Sequence, residues 1–335
     1  MVNLIFNSLN YNTYIIAEIG INHEGDYNLC KEMVYAAKKA GVKAVKLQTI
    51  DPKKNYAKDT QSYKIFNKSQ LSQSETKEIF TLSKKLNLDI FTTVGDIETA
   101  AWVKKLKPSA WKISSSLFTH LPLINYLCDF KEEIFLSTGL ANNKEIDEVI
   151  NVLEKKGKKN YKLLHCVSKY PTRPSEVNLT RIKYLKKKYN VEVGYSDHSI
   201  GNLASCIAVS QGASIIEKHF TNDTKRKGFD HKISLDYVGM KKLVDKVAET
   251  EKMLKNENDF FKTIKKNREK FLRVIVANKK IKAGNTFKKT NITIKRVQNN
   301  KKGLSPINYP TLLGKYSIKS YLKDQIINKL ELKND

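Results

Sequence analysis

Tyr14-Ile-Ile-Ala-Glu-Ile19, Cys30-Lys-Glu-Met-Val-Tyr-Ala-Ala37 and Ala44-Val-Lys-Leu-Gln-Thr49 together spell one strand–helix–strand unit. The outer runs are β-branched and short. In the middle run, Cys30, Met33, Val34 and Ala37 keep the i, i+3, i+4, i+7 spacing of a buried helical face. Gly41 stands where a left-handed C-cap belongs. Working outward, the unit repeats: further strand-like runs occur at Asp89–Val94, Ala110–Ser114, Glu133–Thr138, Tyr161–Val167, Val191–Tyr195 and Ser214–Phe220. Eight strands, each followed by a loop and a helical stretch, have the count and size of an α/β chain folded as a TIM (β/α)₈ barrel. A doubly wound open sheet shares the periodicity. However, no GxGxxG or GxxxxGK[ST] follows any strand, so the nucleotide sites of open sheets are missing and the barrel is favoured.

The pattern changes near Lys255. Residues 256–270 are polar and charged and read as a linker. From Phe271 onward come short pieces with turns, Leu272–Ala277, Ile281-Lys-Ala-Gly284, Ile292–Val297 and Gly303-Leu-Ser-Pro306, which predict a small β domain over 271–335. The barrel then occupies 1–255. So small a domain has a marginal core, so docking onto the barrel or a second subunit is expected.

Lys and Arg outnumber Asp and Glu by 61 to 34, a net charge of +27. The lysines are spread over nearly every helix, as in Lys38-Lys39, Lys84-Lys85 and Lys186-Lys187-Lys188, and no aromatic-basic motif accompanies them. That distribution describes solvated faces that attract anionic substrates rather than a nucleic-acid groove. No apolar run reaches the length of a membrane span, and Met1–Asn10 lacks the features of a secretion signal. Cys30, Cys128, Cys166 and Cys206 form no CxxC pair and read as reduced thiols of a cytoplasmic protein.

Barrel chemistry gathers at the C-terminal strand ends, and polar residues end all eight strands here. They are Glu18; Lys46 and Gln48; Thr93; Lys112 and Ser115; Ser137 and Thr138; Ser168, Lys169 and Tyr170; Ser196, Asp197 and His198; and Glu217, Lys218 and His219. A lysine within an apolar strand is costly unless its ammonium is paired. Lys46 and Lys112 are therefore read as two cations around a small anion bearing phosphate and carboxylate. Ser115, Ser137, Thr93 and Ser196 supply neutral donors. His198 and His219 end neighbouring strands, so their imidazoles can share a divalent ion if both point into the mouth. Mixed imidazole and oxygen donors suit manganese better than a thiolate-rich zinc site. Asp230, in the loop Gly228-Phe-Asp-His231, is a candidate either for sugar hydroxyls or for capping the next helix. His23, His120, His165 and His231 are read as structural or loop residues.

Ile16-Ala-Glu-Ile-Gly-Ile-Asn-His23, Val45-Lys-Leu-Gln-Thr49, Trp111-Lys-Ile-Ser-Ser115, Leu136-Ser-Thr-Gly139, Gly194-Tyr-Ser-Asp-His198 and Ile216-Glu-Lys-His-Phe-Thr221 occur in order. Together they resemble the N-acetylneuraminate (sialic acid) synthase family, which includes legionaminic and pseudaminic acid synthases. The C-terminal piece resembles that family's antifreeze-like (SAF) domain. The resemblance implies condensation of phosphoenolpyruvate with N-acetylmannosamine or a related N-acetylated amino sugar, with phosphate released by C–O cleavage. The alternative is a legionaminic or pseudaminic acid synthase acting on a 2,4-diacetamido hexose.

It further implies a manganese-type ion on His198 and His219. Phosphoenolpyruvate falls to Lys46, Thr93, Lys112, Ser115, Ser137 and Ser196, with Ser168 where members carry Asn. Glu18 is the candidate general acid/base. Gln48, Tyr170, Glu217 and Asp230 match sugar contacts. Arg296 matches an arginine that the small domain supplies to a partner's barrel, implying a domain-swapped homodimer. Leu117 stands where members carry an acid, and Val94-Gly95 replaces a Pro-Phe pair. A barrel aldolase or metal-dependent hydrolase is a more distant reading, disfavoured because it has no need of two buried lysines. A non-enzymatic ice-interacting protein is disfavoured by the retained histidines.

Overall fold

In a closed barrel, strand residues alternate between the enclosed axis and the surrounding helices, so each strand carries its own floor and its own functional rim. The computed structural model describes residues 13–254, 257–298 and 303–328; Met1–Asn10 and Asn256 lie outside them. Eight parallel strands form the barrel: β1 (Tyr14–Gly20), β2 (Ala44–Thr49), β3 (Asp89–Val94), β4 (Ala110–Ile113), β5 (Glu133–Ser137), β6 (Tyr161–Cys166), β7 (Val193–Asp197) and β8 (Ile215–His219). Each pairs with the next, and β8 closes onto β1.

The floor of the barrel is a cluster of Ile16, Ala44, Phe91, Ala110, Phe135, Leu164 and Ile215. Two positions further along, the same strands present Glu18, Lys46, Thr93, Lys112, Ser137, Cys166 and Glu217. Period-two alternation therefore sets a ring of polar side chains directly above an apolar plug. On β7 the floor position is Gly194, where a Cβ would come within 2.5 Å of Leu164 and 2.7 Å of Ile215. Ser196 follows it two residues later. Register links the rim across strands: Glu18 is level with Lys46 and His219, Thr93 with Lys112, and Ser196 with Glu217.

The outer faces of the strands pack on helices through a second, larger core. The helix Tyr27–Ala40 shows why the sequence pattern was readable. Asp26 caps its N-terminus by accepting from the amides of Asn28 and Leu29, and Gly41 at φ 90° closes its C-terminus. Its buried residues are Cys30, Met33, Val34, Ala37 and Ala40.

The strand β7 lies two residues later than Val191–Tyr195. Asn190, in the left-handed conformation, ends the preceding helix. Ser196 and Asp197 stay in the ladder despite weak intrinsic preference, because pairing with β8 overrides it. Asn256 apart, the stretch read as a linker is helical, Glu257–Phe271. Long unbranched Lys, Glu and Arg side chains form helix well, so charge alone did not signal an irregular connection.

The chain forms two compact units, the first ending at Leu254. The second unit contains β9 (Val274–Ala277) and β10 (Ile292–Lys295), paired antiparallel. Its core comprises Ile275, Ala277, Ile281, Phe287, Ile292, Leu304, Leu312, Tyr321 and Ile327. Gly303 is required there, since a Cβ would fall 2.4 Å from Val274. Among the described residues, no helix is long and apolar enough to cross a membrane.

Candidate functional site

The polar ring encloses a recess of about 240 Å³ at the C-terminal end of the barrel. Glu18, Lys46, Gln48, Thr93, Lys112, Ser115, Ser137, Ser168, Tyr170, Ser196, His198, Glu217 and His219 all line it, joined by Ser114, Ser116, Leu140 and Cys166. Gln48, Thr93, Ser114, Ser116 and Tyr170 also line a wider vestibule of about 1120 Å³, with Leu117, Lys64, Lys68, Lys227 and Asp230. Of the expected barrel residues, only Asp230 is confined to the vestibule. Arg296 belongs to the second unit, where it is exposed and its guanidinium lies 5.5 Å from the Phe271 ring.

Charge is concentrated at the bottom of the recess. Lys46 Nζ lies 2.5 Å from Glu18 Oε2 and 3.8 Å from Glu217 Oε2, and Lys112 Nζ lies 3.4 Å from Glu217 Oε1. All four side chains are buried. Burial drives Glu18 up to about 7, only partly offset by Lys46. Glu217 is penalised by the same burial, but Lys112 and Lys46 outweigh it and hold the group down near 2. The two carboxyls are thus pushed in opposite directions: the ammonium groups favour the ionised form of Glu217, and burial favours the protonated form of Glu18. Glu217 also accepts from Ser196 Oγ at 2.9 Å. It lies at the bottom of the recess, between the two cations. Glu18 in turn accepts from Gln48 Nε2 at 2.9 Å, and Lys46 donates to Thr93 Oγ1 at 3.3 Å.

Small donors cover one side of the recess. Ser115 Oγ accepts from the Gly139 amide at 3.1 Å and lies 3.1 Å from Cys166 Sγ. A Cβ on Gly139 would sit 2.5 Å from that sulfur and 2.8 Å from the hydroxyls of both Ser115 and Ser168. Ser137 Oγ is buried without a hydrogen-bond partner among the described residues. Cys166, which the sequence marks only as a reduced thiol, also lines the recess, and the alternation that exposes Ser137 and Ser196 is the signal that places it here. Gly95 has a local cause as well: a Cβ would fall 2.0 Å from Asn55 Oδ1.

At the ends of β7 and β8 stand His198 and His219, ring centroids 5.6 Å apart. His198 Nδ1 lies 2.7 Å from the Val167 carbonyl, which only accepts, so Nδ1 carries the proton and Nε2 the lone pair. Burial lowers His198 to about 4 and His219 to about 3, and the nearby imidazole and lysines push the same way, so both rings are neutral at pH 7. His219 Nδ1 is a buried nitrogen without a hydrogen-bond partner among the described residues, 3.7 Å from Asp230 Oδ2. Two neutral imidazoles, one orphaned, fit a divalent ion. Among the described residues no group of three or more His, Cys, Asp or Glu side chains is set to hold one. Such a donor set leaves coordination positions for water or substrate, as catalytic sites do.

Asp230 does not use its side chain to cap the following turn, and the helix Tyr237–Met253 is capped by Asp236 instead. The remaining histidines have local partners. His23 Nδ1 accepts from the Gly25 amide, His120 caps the helix Leu121–Cys128, His165 pairs with the Val177 carbonyl, and His231 bridges Thr221 and Glu24. Cys30, Cys128, Cys166 and Cys206 are free thiols.

Comparison with known proteins agrees with this architecture. The profile of the NeuB family matches residues 33–259, and that of the SAF domain matches residues 273–333. The N,N'-diacetyllegionaminic acid synthase of Campylobacter jejuni is 36% identical, over 95% of this chain and 99% of that protein. The pseudaminic acid synthase of the same organism is 33% identical, over 92% of this chain and 95% of its own. Among solved structures, the N-acetylneuraminic acid (sialic acid) synthetase of Leptospira borgpetersenii, crystallised with citrate, superposes with a TM-score of 0.72 at 31% identity. That match covers 76% of this chain and 91% of the other. A barrel whose rim carries paired lysines and paired histidines, with these relatives along nearly its whole length, belongs to the NeuB family.

Proposed function

We propose that this protein is an N-acetylneuraminate synthase-type enzyme, condensing phosphoenolpyruvate with N-acetylmannosamine or a related N-acetylated amino sugar. The observation that carries the reading is the convergence of Lys46, Lys112, His198 and His219 on one recess. Lys46 and Lys112 bind the trianion, with Thr93, Ser115, Ser137, Ser168 and Ser196 donating to its oxygens. Entry of that anion competes with Glu18 for Lys46, which favours the protonated form of Glu18. His198 and His219 hold a divalent ion of the manganese type, which when bound polarises the aldehyde of the open-chain sugar.

C3 of phosphoenolpyruvate then forms the new bond to the aldehyde carbon, and the alkoxide takes up a proton. Positive charge at C2 is met by water. The resulting tetrahedral centre loses inorganic phosphate by C–O cleavage to give the 2-oxo acid. Glu18, poised near 7, moves a proton in these steps. Gln48, Tyr170 and Asp230, on the path from recess to vestibule, contact the sugar. Arg296 is supplied by the small domain of a second copy in a domain-swapped cytoplasmic homodimer. A 2,4-diacetamido hexose is the second reading, favoured by the 36% identity to a legionaminic acid synthase.

Phosphate release is measured with phosphoenolpyruvate, Mn²⁺ and a panel of N-acetylmannosamine and 2,4-diacetamido hexoses. Release is expected only when metal and one of these sugars are both present. No turnover with any sugar refutes the synthase reading.

A further inference from the structure

Between the Ser196–Glu217 rung and the two histidines lies a rung that faces away from the recess. Asp197 and Lys218 are register partners on β7 and β8, and alternation turns them outward against the helix Leu203–Ser210. Both side chains are 0% exposed, with Lys218 Nζ 3.1 Å from Asp197 Oδ2. Asp197 is saturated with donors. Its Oδ1 accepts from the Ser199 amide at 2.8 Å and the Ser199 hydroxyl at 2.6 Å, and its Oδ2 accepts from Ser205 Oγ at 2.6 Å. Lys218 also donates to the Ser199 carbonyl. The residue after His198 is therefore gripped at its amide by Asp197 and at its carbonyl by Lys218, the residue before His219.

An ion pair this deeply buried adds little net stability, because desolvation offsets the attraction, and apolar isosteres often fold as well. What it does supply is geometry. We propose that Asp197 and Lys218 are positioning residues that set the separation of the His198 and His219 imidazoles for a shared divalent ion. The inference rests on the metal reading above. An outward pair that ties one histidine's backbone to the other histidine's strand fixes both rings without contacting the ion. A one-residue slip between β7 and β8 would turn one imidazole out of the recess.

The test is Mn²⁺ binding by the full-length Asp197→Leu/Lys218→Met double variant, titrated by electron paramagnetic resonance. Phosphoenolpyruvate binding is measured calorimetrically in parallel. Loss of outer-shell partners weakens metal sites about 10–100-fold, so at least a tenfold weaker Mn²⁺ affinity is expected, with phosphoenolpyruvate affinity within about threefold. Unchanged Mn²⁺ affinity in the folded variant overturns the proposal, and so does an equal loss of both ligands. Should the double variant not fold, Asp197→Asn keeps the side chain's size and removes the charge that holds Lys218 Nζ at 3.1 Å. A measurable weakening of Mn²⁺ supports the proposal there, and none overturns it. A wild-type chain that binds no Mn²⁺ refutes the metal reading itself and this inference with it.

Discussion

Replacing Gly139 by alanine separates the binding role of the serine wall from its role in folding. The added carbon would lie 2.5 Å from Cys166 Sγ and 2.8 Å from the Ser115 and Ser168 hydroxyls, where ordinary contact begins at 3.4 Å. The sulfur must therefore retreat by 0.9 Å (3.4 − 2.5) and each hydroxyl by 0.6 Å (3.4 − 2.8). All three atoms are side-chain tips that rotate about χ1, so the backbone need not move. Overpacking of this kind costs about 1–3 kcal/mol of stability, and the low end is expected here.

Binding suffers more. Moving a hydroxyl by 0.6 Å carries a hydrogen bond of about 2.8 Å past its useful range, and a bond to a charged group is worth about 1.5–3 kcal/mol. Loss of one such bond raises the phosphoenolpyruvate KM about 10–150-fold. Steady-state kinetics in phosphoenolpyruvate, with thermal unfolding as the control, make the measurement. A folded Gly139→Ala enzyme whose KM stays within twofold of wild type would refute the placement of the anion against Ser115 and Ser168.

Two other outcomes follow from the same geometry. Burial lowers His23 from 6.5 to about 4, so its contribution to stability is complete above pH 6.5 and is lost as pH falls toward 4. Comparing urea midpoints at pH 7 and pH 4, wild type should lose about 3 kcal/mol more than His23→Asn, and parallel losses would contradict this. Arg296→Ala should raise the sugar KM at least about tenfold, through loss of a charged hydrogen bond. The phosphoenolpyruvate KM should change little, and equal weakening of both would assign the arginine elsewhere.

The barrel and its rim were legible because alternation leaves a strong trace in the chain. Ile16 precedes Glu18 by two, Phe91 precedes Thr93, Phe135 precedes Ser137, and Ile215 precedes Glu217. An apolar floor and a polar rim are thus encoded strand by strand. Pairings between strands were less legible. Nothing near Glu217 in sequence shows that two ammonium groups, from β2 and β4, converge on it. Nor does Ser-Asp-His beside Glu-Lys-His reveal that the middle residues join on the outer face, because that contact depends on the β7–β8 register. The charged stretch after residue 256 concealed a helix, since lysine and glutamate serve helices and loops alike.

We propose that one recess holds a metal on two imidazoles beside an anion on two ammonium groups. Crystals soaked with Mn²⁺ and phosphoenolpyruvate, with diffraction recorded at the manganese absorption edge, test it most directly. One anomalous peak shared by His198 and His219 is expected, with the bound phosphoenolpyruvate contacting Lys46 and Lys112. Manganese elsewhere, or phosphoenolpyruvate in a different pocket from the two lysines, would contradict it.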